Sequence, residues 1–106
     1  MSGLDNTSYT VRTVTGTAGT ATNNDSVLVF TNTSAKTLAL PNPTTVQPGR
    51  KYTVINAALG DLTVSATGGA NVNGGATSTL VATAGRAEYI SDGTVYWAIN
   101  IAPDPA

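Results

Sequence analysis

The chain contains neither cysteine nor histidine. Without cysteine there is no disulfide framework, and thiol usage carries no message about the redox compartment. The joint absence rules out Ser–His–Asp and Cys–His triads and any zinc site built on His or Cys. Charge is scarce as well. Lys, Arg, Asp and Glu make up 10% of the residues, against about 25% in ordinary soluble domains. The net charge is −1, and the only adjacent basic pair is Arg50-Lys51. Nothing here displaces counterions from a phosphate backbone, so no nucleic-acid partner is expected. No run of about 18 apolar residues exists, which excludes a helical membrane span. The opening residues MSGLDNTSYT lack a basic region followed by an apolar stretch. The expectation is therefore a protein made in a cytoplasm, without a secretory leader.

What is present is neutral. A hydrophobic share of 41% argues against disorder, because disordered chains are poor in apolar residues and rich in charge. Thr, Asn, Ser and Gly take the place of charge at the surface. A chain of 106 residues holds one core rather than two, and a subunit interface can add much to its stability.

Short alternating runs separated by turn residues dominate the chain, the pattern of half-buried strands. They predict strands over Tyr9–Val14, Ser26–Thr31, Thr37–Leu40, Tyr52–Asn56, Leu62–Ala66, Ser78–Ala82, Ala87–Ile90 and Thr94–Ile99. Val27-Leu28-Val29-Phe30 is apolar without a break, as expected of a strand between two layers or at a subunit contact. Asp92-Gly93 marks a hairpin turn. The prolines of Leu40-Pro41-Asn42-Pro43 and Pro48-Gly49 withhold backbone donors, so this stretch reads as a stiff crossover between sheets. The fold expected is an all-β antiparallel sandwich or jelly-roll-like domain of about eight short strands with an extended N-terminal arm. Residues 1–24 read as arm, first strand and linker, with the linker at Ala18–Asp25. Residues 25–101 read as the core domain, and 102–106 as an extended tail.

Little catalytic chemistry remains. Glu88 and Asp92 are the nearest carboxylate pair, and a glycosidase needs a suitably spaced pair. Asp92 reads more simply as a turn residue and Glu88 as a strand-surface charge. Asn23-Asn24-Asp25 offers oxygens to calcium, but an ordinary polar turn explains it better. Gly68-Gly69 and Gly74-Gly75 lack the strand–glycine–helix setting of a phosphate cradle. Asn6-Thr7-Ser8, Asn24-Asp25-Ser26 and Asn32-Thr33-Ser34 match the glycosylation pattern, as chance provides in a chain so rich in these residues. No metal and no cofactor is expected, and no enzymatic activity. Among the aromatics, Trp97 shares strand parity with Val95 and Ile99 and is expected in the core. Tyr96 then faces outward or into a neighbouring subunit, where Tyr89 can pair with it across the hairpin.

The segment from Asp25 to Ile99 resembles a recurring β module of bacteriophage virion proteins. The likeness rests on Val27–Phe30, Leu38-Ala39-Leu40-Pro41 and the Pro48-Gly49-Arg50 turn into Tyr52–Asn56. It continues through Leu62-Thr63-Val64, the Gly68–Gly75 stretch and Ser91-Asp92-Gly93-Thr94-Val95-Tyr96-Trp97. The resemblance implies a virion part, commonly trimeric, either a capsid decoration (cement) protein or a tail-fibre knob. A short chain with its own Met1 and no shaft repeat favours decoration: a homo-trimer on the outside of the head, bound to the major capsid protein. The expected docking arm comprises Leu4, Tyr9, Val11 and Arg12. The expected subunit-interface or surface aromatics are Phe30, Tyr89 and Tyr96. The alternative is a receptor-binding module that recognises host surface glycan, and a carbohydrate-acting enzyme built on Glu88 comes third.

Overall fold

A computed structural model describes residues 10–81 and 85–102. Among these residues, nine strands form two sheets. One sheet holds β1 (Val11–Val14), β3 (Val27–Phe30), β5 (Lys51–Asn56), β8 (Gly85–Ser91) and β9 (Tyr96–Ala102), side by side in that order. The other holds β2 (Ala18–Thr20), β4 (Lys36–Leu40), β6 (Leu62–Ala66) and β7 (Ser78–Leu80). The chain is all-β. Leu4 and Tyr9 of the expected arm, Ala82 of the expected strand Ser78–Ala82 and the tail from Pro103 lie outside the described residues.

The expected antiparallel pairing gives way to mixed sheets. β1, β3 and β5 run parallel, and so do β2, β4 and β6. Strands adjacent in sequence do not pair there; they alternate between the sheets, so each strand returns to its own sheet in the same direction. The segment 15–26 between β1 and β3 has the length of about a dozen residues that a parallel crossover requires. The strand of the opposite sheet, β2, is that crossover. Only the last three strands pair antiparallel: β7 with β6, β8 with β5, and β9 with β8. The proline segment does carry the chain from one sheet to the other, from β4 to β5.

Both sheets turn one face to a single buried cluster. Leu28, Phe30, Tyr52, Val54, Tyr89 and Tyr96 come from the five-stranded sheet, and Leu38, Leu40, Leu62, Val64 and Leu80 from the four-stranded one. Each such aliphatic or Phe side chain contributes about 1.5–3 kcal/mol on burial. β2 falls in the stretch expected as a linker, because its centre is Gly19. A Cβ there would meet the Phe30 ring at 3.0 Å, so glycine is what lets β2 lie close against the core.

Polar groups fasten the ends. Arg12 stands in the inward row of β1, opposite Leu28. Its guanidinium bonds both oxygens of buried Asp25 at 3.0 Å and the Thr20 carbonyl of β2 at 2.9 Å. One side chain thus ties the two sheets together beside their edge strands. At another margin Lys36, with 1% of its surface exposed, points its ammonium at four backbone carbonyls. These belong to Asn32, Ser34, Leu59 and Gly60, at 2.6–3.1 Å.

Candidate interaction face

Residues directly opposite in a ladder share a face, so the register maps the outer surface of the five-stranded sheet. One row runs Val11, Val27, Thr53, Glu88, Ile99. A second runs Thr13, Val29, Ile55, Arg86, and a third Lys51, Ile90, Trp97. Seven of these twelve side chains are Val, Ile or Trp. Val11, Trp97 and Ile99 are exposed by 63%, 45% and 39%, and the other four are half-buried. The outer surface of the four-stranded sheet is different in kind. Its rows are Ala18, Thr37, Thr63, Thr79 and Thr20, Ala39, Ser65. Small hydroxyl side chains suit water, whereas a row of Val, Ile and Trp does not.

Near the centre of the apolar face lies a shallow cleft of about 420 Å³, lined by Val27, Arg50, Lys51, Thr53 and Glu88 among others. Lys51 and Glu88 approach each other to 3.8 Å across it. Arg50 is committed elsewhere. Its guanidinium lies over the Tyr52 ring at 4.1 Å and donates to the carbonyls of Asn23, Asp25 and Lys51.

Several sequence expectations are corrected here. Phe30, Tyr89 and Tyr96, expected at a subunit interface or on the surface, are all fully buried. Tyr96 packs edge-to-face on Tyr52, and its hydroxyl donates to the Pro41 carbonyl at 2.7 Å. Burial pushes that hydroxyl's pKa up, so it remains a neutral donor. Tyr89 and Tyr96 do not pair across the hairpin: Tyr89 stands opposite Ala98, and Tyr96 opposite Ser91. Trp97, expected in the core, faces outward. Parity on β9 is set by β8, whose Ala87, Tyr89 and Ser91 are buried, so Ile90 and its partner Trp97 must point away. Of the expected arm, Val11 belongs to the apolar face. The Arg12 guanidinium is bonded to Asp25 and the Thr20 carbonyl, with part of the side chain still exposed.

The three carboxylates weighed as candidate sites, Asp25, Glu88 and Asp92, are occupied. Asp25 is held by Arg12 and by the Thr22 amide and hydroxyl, which leaves little for a cation. Glu88 faces Lys51. Asp92 caps the turn, accepting from the Thr94 and Val95 amides through Oδ1 and from the Trp97 indole through Oδ2 at 2.9 Å. Those bonds, the Val95 amide foremost and then the indole, hold the Asp92 carboxyl below the usual range. Trp97 is the chain's single tryptophan, so the turn has a built-in reporter. Its emission is expected to change only as pH falls below the ordinary carboxylate range, and the transition should vanish in Asp92→Asn. A transition at the usual carboxylate pH would contradict this arrangement.

Ile55, Ile90 and Ile99 were not singled out as contact residues by sequence reasoning, and Val27 and Val29 only as part of a run expected between two layers or at a subunit contact. The signal lay in the unbroken Val27–Phe30 run: on a strand, two of four consecutive apolar residues must face out. Lys36 was missed too, although it shares parity with Leu38 and Leu40. Compared with family models, with curated proteins and with solved structures, the chain matches none.

Proposed function

We propose that this chain is a non-enzymatic structural protein of a bacteriophage particle: a decoration protein that coats the outside of the head as a trimer and braces the shell. The observation that carries the reading is the contrast between the two outer surfaces, one apolar and one lined with hydroxyls. Val11, Trp97 and Ile99, three of the five most exposed large hydrophobic side chains, share that face, with Leu59 and Val81 outside it, and a contiguous apolar patch of this kind marks a contact surface. The engaged carboxylates and the absence of His and Cys favour a structural role over chemistry. The resemblance of Asp25–Ile99 to virion β modules supplies the setting.

Antibody-gold labelling of intact particles tests it. Gold spread over the head is the expected result, and particles without label would sink the reading. Gold confined to the tail tip would instead favour host recognition. That second reading has one specific support: Trp97 is exposed and its indole is fixed by Asp92, the kind of rigid aromatic platform on which a sugar ring stacks. It predicts saturable binding to host surface glycan that Trp97→Ala removes.

A further inference from the structure

We infer that the outer face of the five-stranded sheet is covered by a second copy of this chain. The inference goes beyond the decoration reading, in whose setting it rests: two such faces meeting about a two-fold axis close a pair, a contact distinct from the one that would build the trimer.

Three observations point to a copy rather than to a foreign partner. The face carries both signs of charge at its centre, with Lys51 3.8 Å from Glu88 and Arg86 in the neighbouring row. Such a patch is complementary to itself: the Lys51 of one chain can meet the Glu88 of the other, whereas a partner of one sign would leave one of them opposed by a like charge. The whole chain has a net charge of −1, so copies approach with little repulsion, and near-neutral proteins tend to associate.

Area is the third. Four inter-strand spacings of about 4.8 Å and two outward-residue steps of about 6.7 Å give row centres spanning roughly 19 × 13 Å. With side-chain margins this is about 500 Å² per copy, or about 1,000 Å² for two, the lower bound for a specific interface. One face-to-face pairing is therefore just sufficient, with the Val11, Trp97 and Ile99 side chains as its apolar anchors. The hydroxyl face of the four-stranded sheet then remains in water.

The experiment is light-scattering mass measurement of the full chain from low-micromolar to near-millimolar concentration, with Trp97 emission read in parallel. Wild type should gain mass with concentration while its emission shifts to the blue as the indole leaves water. Ile90→Lys and Ile99→Lys should weaken association by more than about tenfold, because each sets an unpaired ammonium into the apolar contact. Thr63→Lys, on the hydroxyl face, should behave as wild type. Thermal melts establish that each variant is folded; all three positions point outward, so each should melt close to wild type. A wild type of one-chain mass throughout, or lysine variants that associate as well as wild type, overturns the inference. A monomer that still labels heads with gold overturns it while leaving the decoration reading in place. An oligomer dispersed by Ile90→Lys that labels no particle supports it while removing that reading.

Discussion

Lys36→Met is expected to lower the free energy of unfolding by about 3–5 kcal/mol. The ammonium is buried and serves four carbonyls, of Asn32, Ser34, Leu59 and Gly60. Hydrogen bonds to a charged donor contribute about 1.5–3 kcal/mol each, and a buried acceptor stripped of its donor costs about 1–3 kcal/mol. These terms are not additive, because one cation with three hydrogens supplies all four oxygens. Methionine has nearly the same length and no donor, so it isolates the polar loss from a packing loss. The Gly60 carbonyl keeps one partner, the Asn56 side-chain amide at 2.8 Å, which limits the damage there.

The site has no room to rearrange. Gly60 has φ +86°, and a Cβ would lie 2.4 Å from the Ser34 carbonyl oxygen; the loops 31–35 and 57–61 are held at backbone contact around the ammonium. For a domain of this size, total stability is about 5–15 kcal/mol, so the variant should melt more than about 15 °C below wild type. Thr37→Met, one residue along on the outer face, should stay within about 0.5 kcal/mol. A Lys36→Met melt within a few degrees of wild type would mean that the carbonyls find water instead.

Asp25→Asn should cost about 2–3 kcal/mol at neutral pH and flatten the acid limb of the stability curve. The Asp25 carboxylate accepts from Arg12 twice and from the Thr22 amide. The Arg12 hydrogen bond, foremost, holds its carboxyl below the ordinary range against the opposing effect of burial. The folded value is thus depressed relative to the unfolded one of about 3.9. Stability from this group is fully present above the unfolded value and is lost as pH falls through the folded one. The Arg12 side chain is 40% exposed, so water screens part of the pair, and the loss is smaller than for a fully buried charge. Urea unfolding between neutral pH and pH about 2 checks the sign. Wild type should lose stability steeply at the acid end, and the Asn variant should lose less. Parallel curves would show that other carboxylates govern acid unfolding.

Much of this fold was legible residue by residue. The alternation of Leu38 with Leu40 and of Leu62 with Val64 named inward faces that are indeed buried, and the prolines from Pro41 to Pro48 marked a change of sheet. The errors share one cause. Leu38 is buried whether its neighbour runs parallel or antiparallel, so alternation is silent about strand direction, and the parallel pairing of β4 with β6 left no local trace. β2 was read as linker because Ala18-Gly19-Thr20 has no apolar alternation; its place depends on Phe30, eleven residues away in sequence. Trp97 was assigned to the core because it shares strand parity with Val95 and Ile99. Yet an apolar row on one strand does not say which way it faces; the partner strand β8 decides that.

Composition and local chemistry were thus enough for an all-β domain without His or Cys chemistry, with turns at Asp92-Gly93 and an apolar run that had to show two residues to the outside. The tertiary structure alone decided that Val11, Val27, Val29, Ile55, Ile90, Trp97 and Ile99 meet on one face. They come from five strands spread along the chain, and only the ladder register sets them in adjacent rows. It also decided that Lys36 is buried and that Arg12, though partly in solvent, turns its guanidinium to Asp25 and Thr20. A charged side chain is fixed in this way only where oxygens converge on it, and those at Asp25 and Thr20, and at Asn32, Ser34, Leu59 and Gly60, are brought together by the fold.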